Sequence, residues 1–107
     1  MVECQHLEEL RLACTGEPVE MAEGGQVYIH LPGLKVPNSG PQDALLCLSL
    51  HSGYPTRLFL AQPVHGKGAN WNQFHILGRT WHSWSWNHVR QELRPMEILA
   101  EHLRGLR

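Results

Sequence analysis

Asp43-Ala44-Leu45-Leu46-Cys47-Leu48-Ser49-Leu50-His51 runs straight into Ser52-Gly53-Tyr54-Pro55 and then Thr56-Arg57-Leu58-Phe59-Leu60-Ala61. The first segment is nearly continuous in apolar residues and predicts a strand over 43–51. Ser-Gly-Tyr-Pro is a turn in composition, so the chain should reverse there into a second strand over 56–61. Two adjacent strands joined by so short a turn are antiparallel, and this sets the class of the whole chain.

Upstream, Val19–Glu23 and Gln26–Leu31 flank Gly24-Gly25. Glycine supplies the positive φ of a tight hairpin, so these predict two more strands. Leu31 to Pro37 contains two prolines, which cannot donate to a central ladder, and reads as a stiff edge or crossing segment. Asn38-Ser39-Gly40-Pro41 reads as a turn. From Val2 to Ala13, Leu7 and Leu10, with Cys14 beyond, share one helical face opposite Glu8, Glu9 and Arg11. That spacing predicts a short helix ended by Thr15-Gly16-Glu17-Pro18. Downstream, 62–72 reads as an ordered loop and 78–88 as irregular. Pro95 suits the first turn of a helix whose stripe is Met96, Leu99, Leu103 and Leu106. Glu97 lies near its positive end, and Arg104 and Arg107 near its negative end. The order predicts one α+β domain over 1–107: a four-stranded antiparallel meander with N-terminal and C-terminal helices.

The chain has 107 residues, 42% hydrophobic and 18% charged, enough for one modest core. A net charge of −1 argues against nucleic acid as a partner, because phosphate binding draws on a basic excess. Cys4, Cys14 and Cys47 are odd in number without CxxC spacing, which reads as reduced thiols in a cytoplasmic protein. No signal-peptide pattern and no apolar run of membrane-spanning length is visible, so no membrane association is expected.

The block Gly78-Arg79-Thr80-Trp81-His82-Ser83-Trp84-Ser85-Trp86-Asn87-His88 holds three of the four tryptophans. Ser85 is a candidate nucleophile, with Ser83 as the other hydroxyl and His82 and His88 as neighbouring bases. Ser85 and His88 are three apart, so one helical turn would bring them together for acyl transfer through an ester. The same residues also fit a serine-capped turn and a backbone-bonded histidine. The histidine spacings His75–His82 and His82–His88 do not match a helix-face zinc pair, so no metal and no cofactor is expected. Asn70 and Asn72 could donate amides to an oxyanion, or stabilise a turn.

Several blocks together resemble the ubiquitin-conjugating (UBC) fold, closest to the divergent bacterial group often called prokaryotic UBC family E. They are the Gly-rich hairpin followed by Leu31–Val36, Gly53-Tyr54-Pro55 after an apolar strand, Gly78–Ser85, and a closing helix ending His102-Leu103. The likeness runs from about Gly24 to Leu106. This chain departs from ordinary conjugating enzymes in lacking His-Pro-Asn, and all three cysteines precede the loop that should carry the catalytic one. The loop instead offers His65-Gly66-Lys67 and Asn70-Trp71-Asn72. Placing His65 on the tripeptide's histidine puts His75 near the cysteine position, so Asn70, Asn72, His65 and His75 become modifier-binding or oxyanion candidates. The resemblance implies a ubiquitin-conjugating-like component of a bacterial modification pathway. It would be either a non-catalytic subunit that positions the modifier or a transferase working through an ester on serine. Implied partners are a ubiquitin-like β-grasp protein, an adenylating activating enzyme and a JAB-type metalloprotease. The alternative is a stand-alone hydrolase or metal-dependent enzyme using His82, Ser85 and His88.

Overall fold

The computed structural model describes residues 2–86 and 89–106. Helix α1 (Cys4–Arg11) precedes strands β1 (Val19–Glu23), β2 (Gln26–Val36), β3 (Gly40–Cys47) and β4 (Arg57–Leu60). Strands β5 (Asn72–Ile76) and β6 (Arg79–Ser83) follow, and helix α2 (Pro95–Arg104) closes the order. The class is α+β, as the sequence predicts, but the antiparallel sheet has six strands in the order β1-β2-β3-β4-β6-β5. The four expected strands form its consecutive part. Among the described residues no helix is long and apolar enough to cross a membrane.

Three expectations are corrected. The 31–37 segment lies beyond the reach of β1, which pairs only as far as His30, as an edge should. It is more than a crossing segment, however, because β2 continues to Val36 through an irregularity between Leu31 and Leu34. The missing Pro32 N–H falls at that bulge, and the chain leaving α1 takes up the spare groups. Thr15 N–H donates to Gly33 O (3.0 Å), Gly16 N–H to Pro32 O (3.1 Å) and Lys35 N–H to Ala13 O (2.8 Å). Second, β3 ends at Cys47, the last residue paired on both sides, with Tyr28 and Arg57. Ser52 and Gly53 then take φ of 50° and 86°, and His51 and Tyr54 exchange backbone bonds across a two-residue turn. Third, the tryptophan block is not irregular: 79–83 form β6, hairpinned to β5 by Leu77-Gly78.

The sheet buries both faces. Ile29, Leu31, Leu46, Leu58 and Leu60 face the two helices together with Leu10, Ile98, Leu99 and Leu106. Tyr28, Leu45, Phe59, Ile76 and Trp81 form a second core on the other face. No described helix lies there; the sheet curls over it, and the Glu23 carboxylate at the end of β1 accepts from Leu77 N–H at the β5–β6 turn (3.0 Å to each oxygen). On α2 the buried residues are Pro95, Ile98, Leu99 and His102, with Met96 and Leu103 half-buried, so the buried stripe is rotated from the one expected. Its first turn is held by Arg94 N–H donating to Glu97 Oε1 (2.9 Å), half of a capping box behind Pro95.

His102 fastens α2 to the sheet. Thr56 Oγ1 spends its one proton on Val89 O (3.0 Å), so it accepts from His102 Nε2–H (2.9 Å). Burial, with the charge of Arg57 adding to it, pushes the His102 pKa down from 6.5 to about 4.

Gly33 sits at φ 63°, and a Cβ there would collide with the Thr15 hydroxyl. Gly33→Ala should therefore cost roughly 1–3 kcal/mol in denaturant melts. His102 stays neutral when folded but takes up a proton near pH 6.5 when unfolded. Its contribution is then whole above pH 6.5 and lost as pH falls toward about 4. We expect a loss on the order of 3 kcal/mol across that window, flattened in His102→Gln.

Candidate functional site

The loop between β4 and β5 is pinned rather than free. Val64 is buried, and Lys67 N–H donates back to Val64 O (3.2 Å). Trp71 Nε1–H donates to Lys67 O (2.8 Å), and its ring packs on Trp84 with centroids 5.1 Å apart. Gly68, at φ 71°, lies so close under the Trp71 indole that a Cβ would come within 3.0 Å of it. Ser85 N–H donates to Ala69 O (2.8 Å), locking the end of β6 to the tip of the loop.

The tryptophans of the block each pack in a different direction. Trp81 enters the core of the curled face and donates to Ile76 O (3.1 Å). Trp84 enters the helix-side core, where its Nε1–H is buried with no acceptor among the described residues. Trp86 donates to Glu101 O (2.9 Å) and lies against Gly105, where a Cβ would press on the indole.

This packing brings some of the sequence-predicted residues together. Ser85 is half-buried beside the Ala69-Asn70 turn, and Asn72 pairs with Ser83 at the mouth of the same corner. Asn70 adopts φ 53°, and its carbonyl accepts from the Asn72 side-chain amide (3.1 Å). Among the described residues, Ser85 Oγ makes no hydrogen bond. His82 lies opposite Gln73 and His75 opposite Thr80, so both histidines share the outer face of the β5–β6 hairpin as diagonal neighbours. Burial holds the His82 pKa below its ordinary value. His65 is exposed in the loop, and His88 lies outside the described residues. Ser83, the other hydroxyl of the block, is buried and structural: it donates to Leu58 O (2.8 Å) and accepts from Arg57 Nε (3.1 Å). Among the described residues no three His, Cys, Asp or Glu side chains gather as metal ligands.

The sequence reading missed the polar groups on the curled face. Arg57 is 4% exposed, its guanidinium 4.2 Å from the Tyr54 ring centroid and 4.7 Å from that of Phe74. Among the described residues no carboxylate lies within salt-bridge range of it. Burial pulls its pKa below the ordinary value. Tyr28 OH and His51 Nε2 are 3.2 Å apart. Burial raises the Tyr28 phenol, while burial and the charge of Arg57 lower His51. Asp43 accepts from Gly33 N–H (3.1 Å) and from Arg79 Nη1 (3.0 Å), with His30 Nε2 at 4.0 Å. Burial raises the Asp43 carboxyl, but these partners more than offset it and leave it below the usual range.

Compared with known proteins, the chain matches no family model, no curated protein and no solved structure.

Trp71→Ala should release the loop from Trp84. Hydrogen exchange at the Ser85 amide should speed up by at least tenfold, and stability should fall by roughly 2–4 kcal/mol, since a half-buried ring is lost.

Proposed function

We propose that this chain is a UBC-like component of a bacterial ubiquitin-like modification pathway that positions the modifier without carrying it on a cysteine. The reading starts from the sequence blocks that resemble the UBC family. It is supported by strands β1–β4, which run consecutively and antiparallel between a helix that precedes them and one that follows.

The observation that carries it is the locked corner. Ser85, Asn70 and Asn72 are held together by the Ser85–Ala69 bond and the Trp71–Trp84 contact, while the thiols lie on other elements. Cys14 is buried beside Leu34, and burial pushes its pKa up to about 11, so at neutral pH it is a poor nucleophile. Cys47 is buried between Tyr28 and Arg57 in the sheet. Cys4 is exposed, at the first turn of α1. An extended modifier tail can be gripped by backbone and asparagine amides at such a corner, which is a positioning role. The partners in this reading are a β-grasp modifier, its adenylating activating enzyme and a JAB-type metalloprotease.

The test is titration of the labelled protein with a β-grasp modifier and activating enzyme from the same gene neighbourhood. Amide shifts should move at 65–72 and 83–86. Asn70→Ala with Asn72→Ala should weaken binding roughly tenfold, about 1.4 kcal/mol. Replacing Cys4, Cys14 and Cys47 should leave binding and any transfer intact. A thiol-labile adduct on one of the cysteines would refute the proposal, as would tight, salt-sensitive binding to nucleic acid alone. A hydroxylamine-labile, thiol-stable adduct at Ser85 would replace positioning by ester transfer.

A further inference from the structure

The β5–β6 turn carries a conformation that its sequence does not favour. Leu77 and Gly78 take φ of 53° and 73°, the pair of positive values of a tight hairpin turn. Asparagine, aspartate or glycine meets the first of these at little cost, whereas a branched apolar residue there is strained. Both oxygens of Glu23, on the far edge strand, hold the Leu77 N–H at 3.0 Å. The strained turn is thereby drawn across the open side of the curled sheet.

Beneath it lies a recess of about 150 Å³ lined by Met21, His30, Leu45, Leu77, Arg79 and Trp81. A volume of about this size accepts a benzene ring in a protein interior. The floor is apolar. At the rim, the Arg79 guanidinium is stacked over Trp81, 4.5 Å from its ring centroid, and anchored through Nη1 to Asp43. Asp43 is in turn fixed by the Gly33 N–H, which sits on the β2 bulge (3.1 Å). Nε and Nη2 of Arg79 have no partner among the described residues. One edge of the guanidinium is thus pre-oriented by the protein and the other is available, beside the imidazole of His30.

We propose that this recess binds a small aromatic carboxylate. The ring would lie against Leu45 and Trp81 under Leu77, and the carboxylate would accept from the available edge of Arg79. A guanidinium already held and stacked loses little freedom on forming such a bond. A turn kept in a costly conformation so that its leucine covers a recess fits a ligand clamp better than a simple reversal. The proposal is independent of the modifier-positioning reading, since the recess is on the opposite face of the sheet from the helices.

The probe is benzoate, with benzamide as its uncharged counterpart, added to the labelled chain. Benzoate should bind in the millimolar range or tighter and shift the Trp81 indole N–H and the Leu77 amide. Benzamide should bind at least fivefold more weakly. Arg79→Gln should bring benzoate down to the benzamide level while leaving the sheet's amide pattern in place. No shift at those two groups with tens of millimolar benzoate would overturn the proposal. Equal binding of benzamide would overturn the carboxylate assignment, and that comparison uses the unmodified chain, so it stands even if Arg79→Gln fails to fold.

Discussion

The constraint on which this structure depends is an imbalance of covers. Its strands are apolar on both faces, but the two helices, of eight and ten residues, lie on one of them. The other face carries Tyr28, Leu45, Phe59 and Trp81, rings and chains whose exposure would each forfeit on the order of 1.5–3 kcal/mol. Among the described residues no third helix lies there, and the sheet covers that face with itself. It curls until the β5–β6 turn meets the end of β1, where Glu23 holds Leu77. The recess, the stacking of Arg79 on Trp81 and the edge-to-face packing of Phe59 and Phe74 (5.2 Å between centroids) are all consequences of that closure.

The helix-side face is organised by a different demand, the placing of bulky rings at a strand end. Trp84 and Trp86 follow β6 directly, and each finds a separate wall: Trp71 of the loop for one, the last turn of α2 for the other. Packing of this kind fixes a long loop that contains Gly66, Gly68 and Asn70. Gly68 allows close approach beneath Trp71, and the Ser85 amide caps the tip. The polar side chains left at the mouth of the corner are held by neighbours whose own positions are fixed in the core.

How much of this was legible in the sequence follows from which signals are local. The Gly24-Gly25 hairpin, the 52–55 turn and the start of α2 at Pro95 depend on residues that impose their own backbone geometry, and each lies where the sequence puts it. The course of β2 through Pro32 was not legible, because what tolerates the proline is a segment from the end of α1, distant in sequence. Strand β6 was obscured by its composition, rich in tryptophan, histidine and serine. Its inward residues Trp81 and Ser83 alternate with Thr80 and His82, a period of two beneath an unusual composition. The polar groups of the curled face were masked by two-sided burial. In a strand such as 44–47, apolar on both sides, the pattern does not reveal which face Arg57 or Asp43 will share. Of the candidate site, the meeting of the loop asparagines with Ser85 was not legible, since nothing local links residue 69 to residue 85.

The seam between β4 and β6 shows why a cation is buried at all. That ladder contains a single register pair, Leu60 with His82, and it joins the meander to the terminal hairpin. So thin a ladder would be the first part of the sheet to open. Side chains make up the deficit: Ser83 Oγ donates to Leu58 O across the seam, and Arg57 Nε, on the same strand as Leu58, donates to Ser83 Oγ. The Arg57 guanidinium is then stacked between Tyr54 and Phe74, so one side chain ties the 52–55 turn, β4, β6 and β5 together. Burying an arginine without a carboxylate is costly, and the two ring faces and one hydrogen bond offset that cost only in this geometry. A lysine could not reproduce it, because a point charge neither stacks as a plane nor donates sideways from within the stack. The closure of the curled face and the attachment of the tryptophan corner therefore rest on the same seam, through opposite sides of β6.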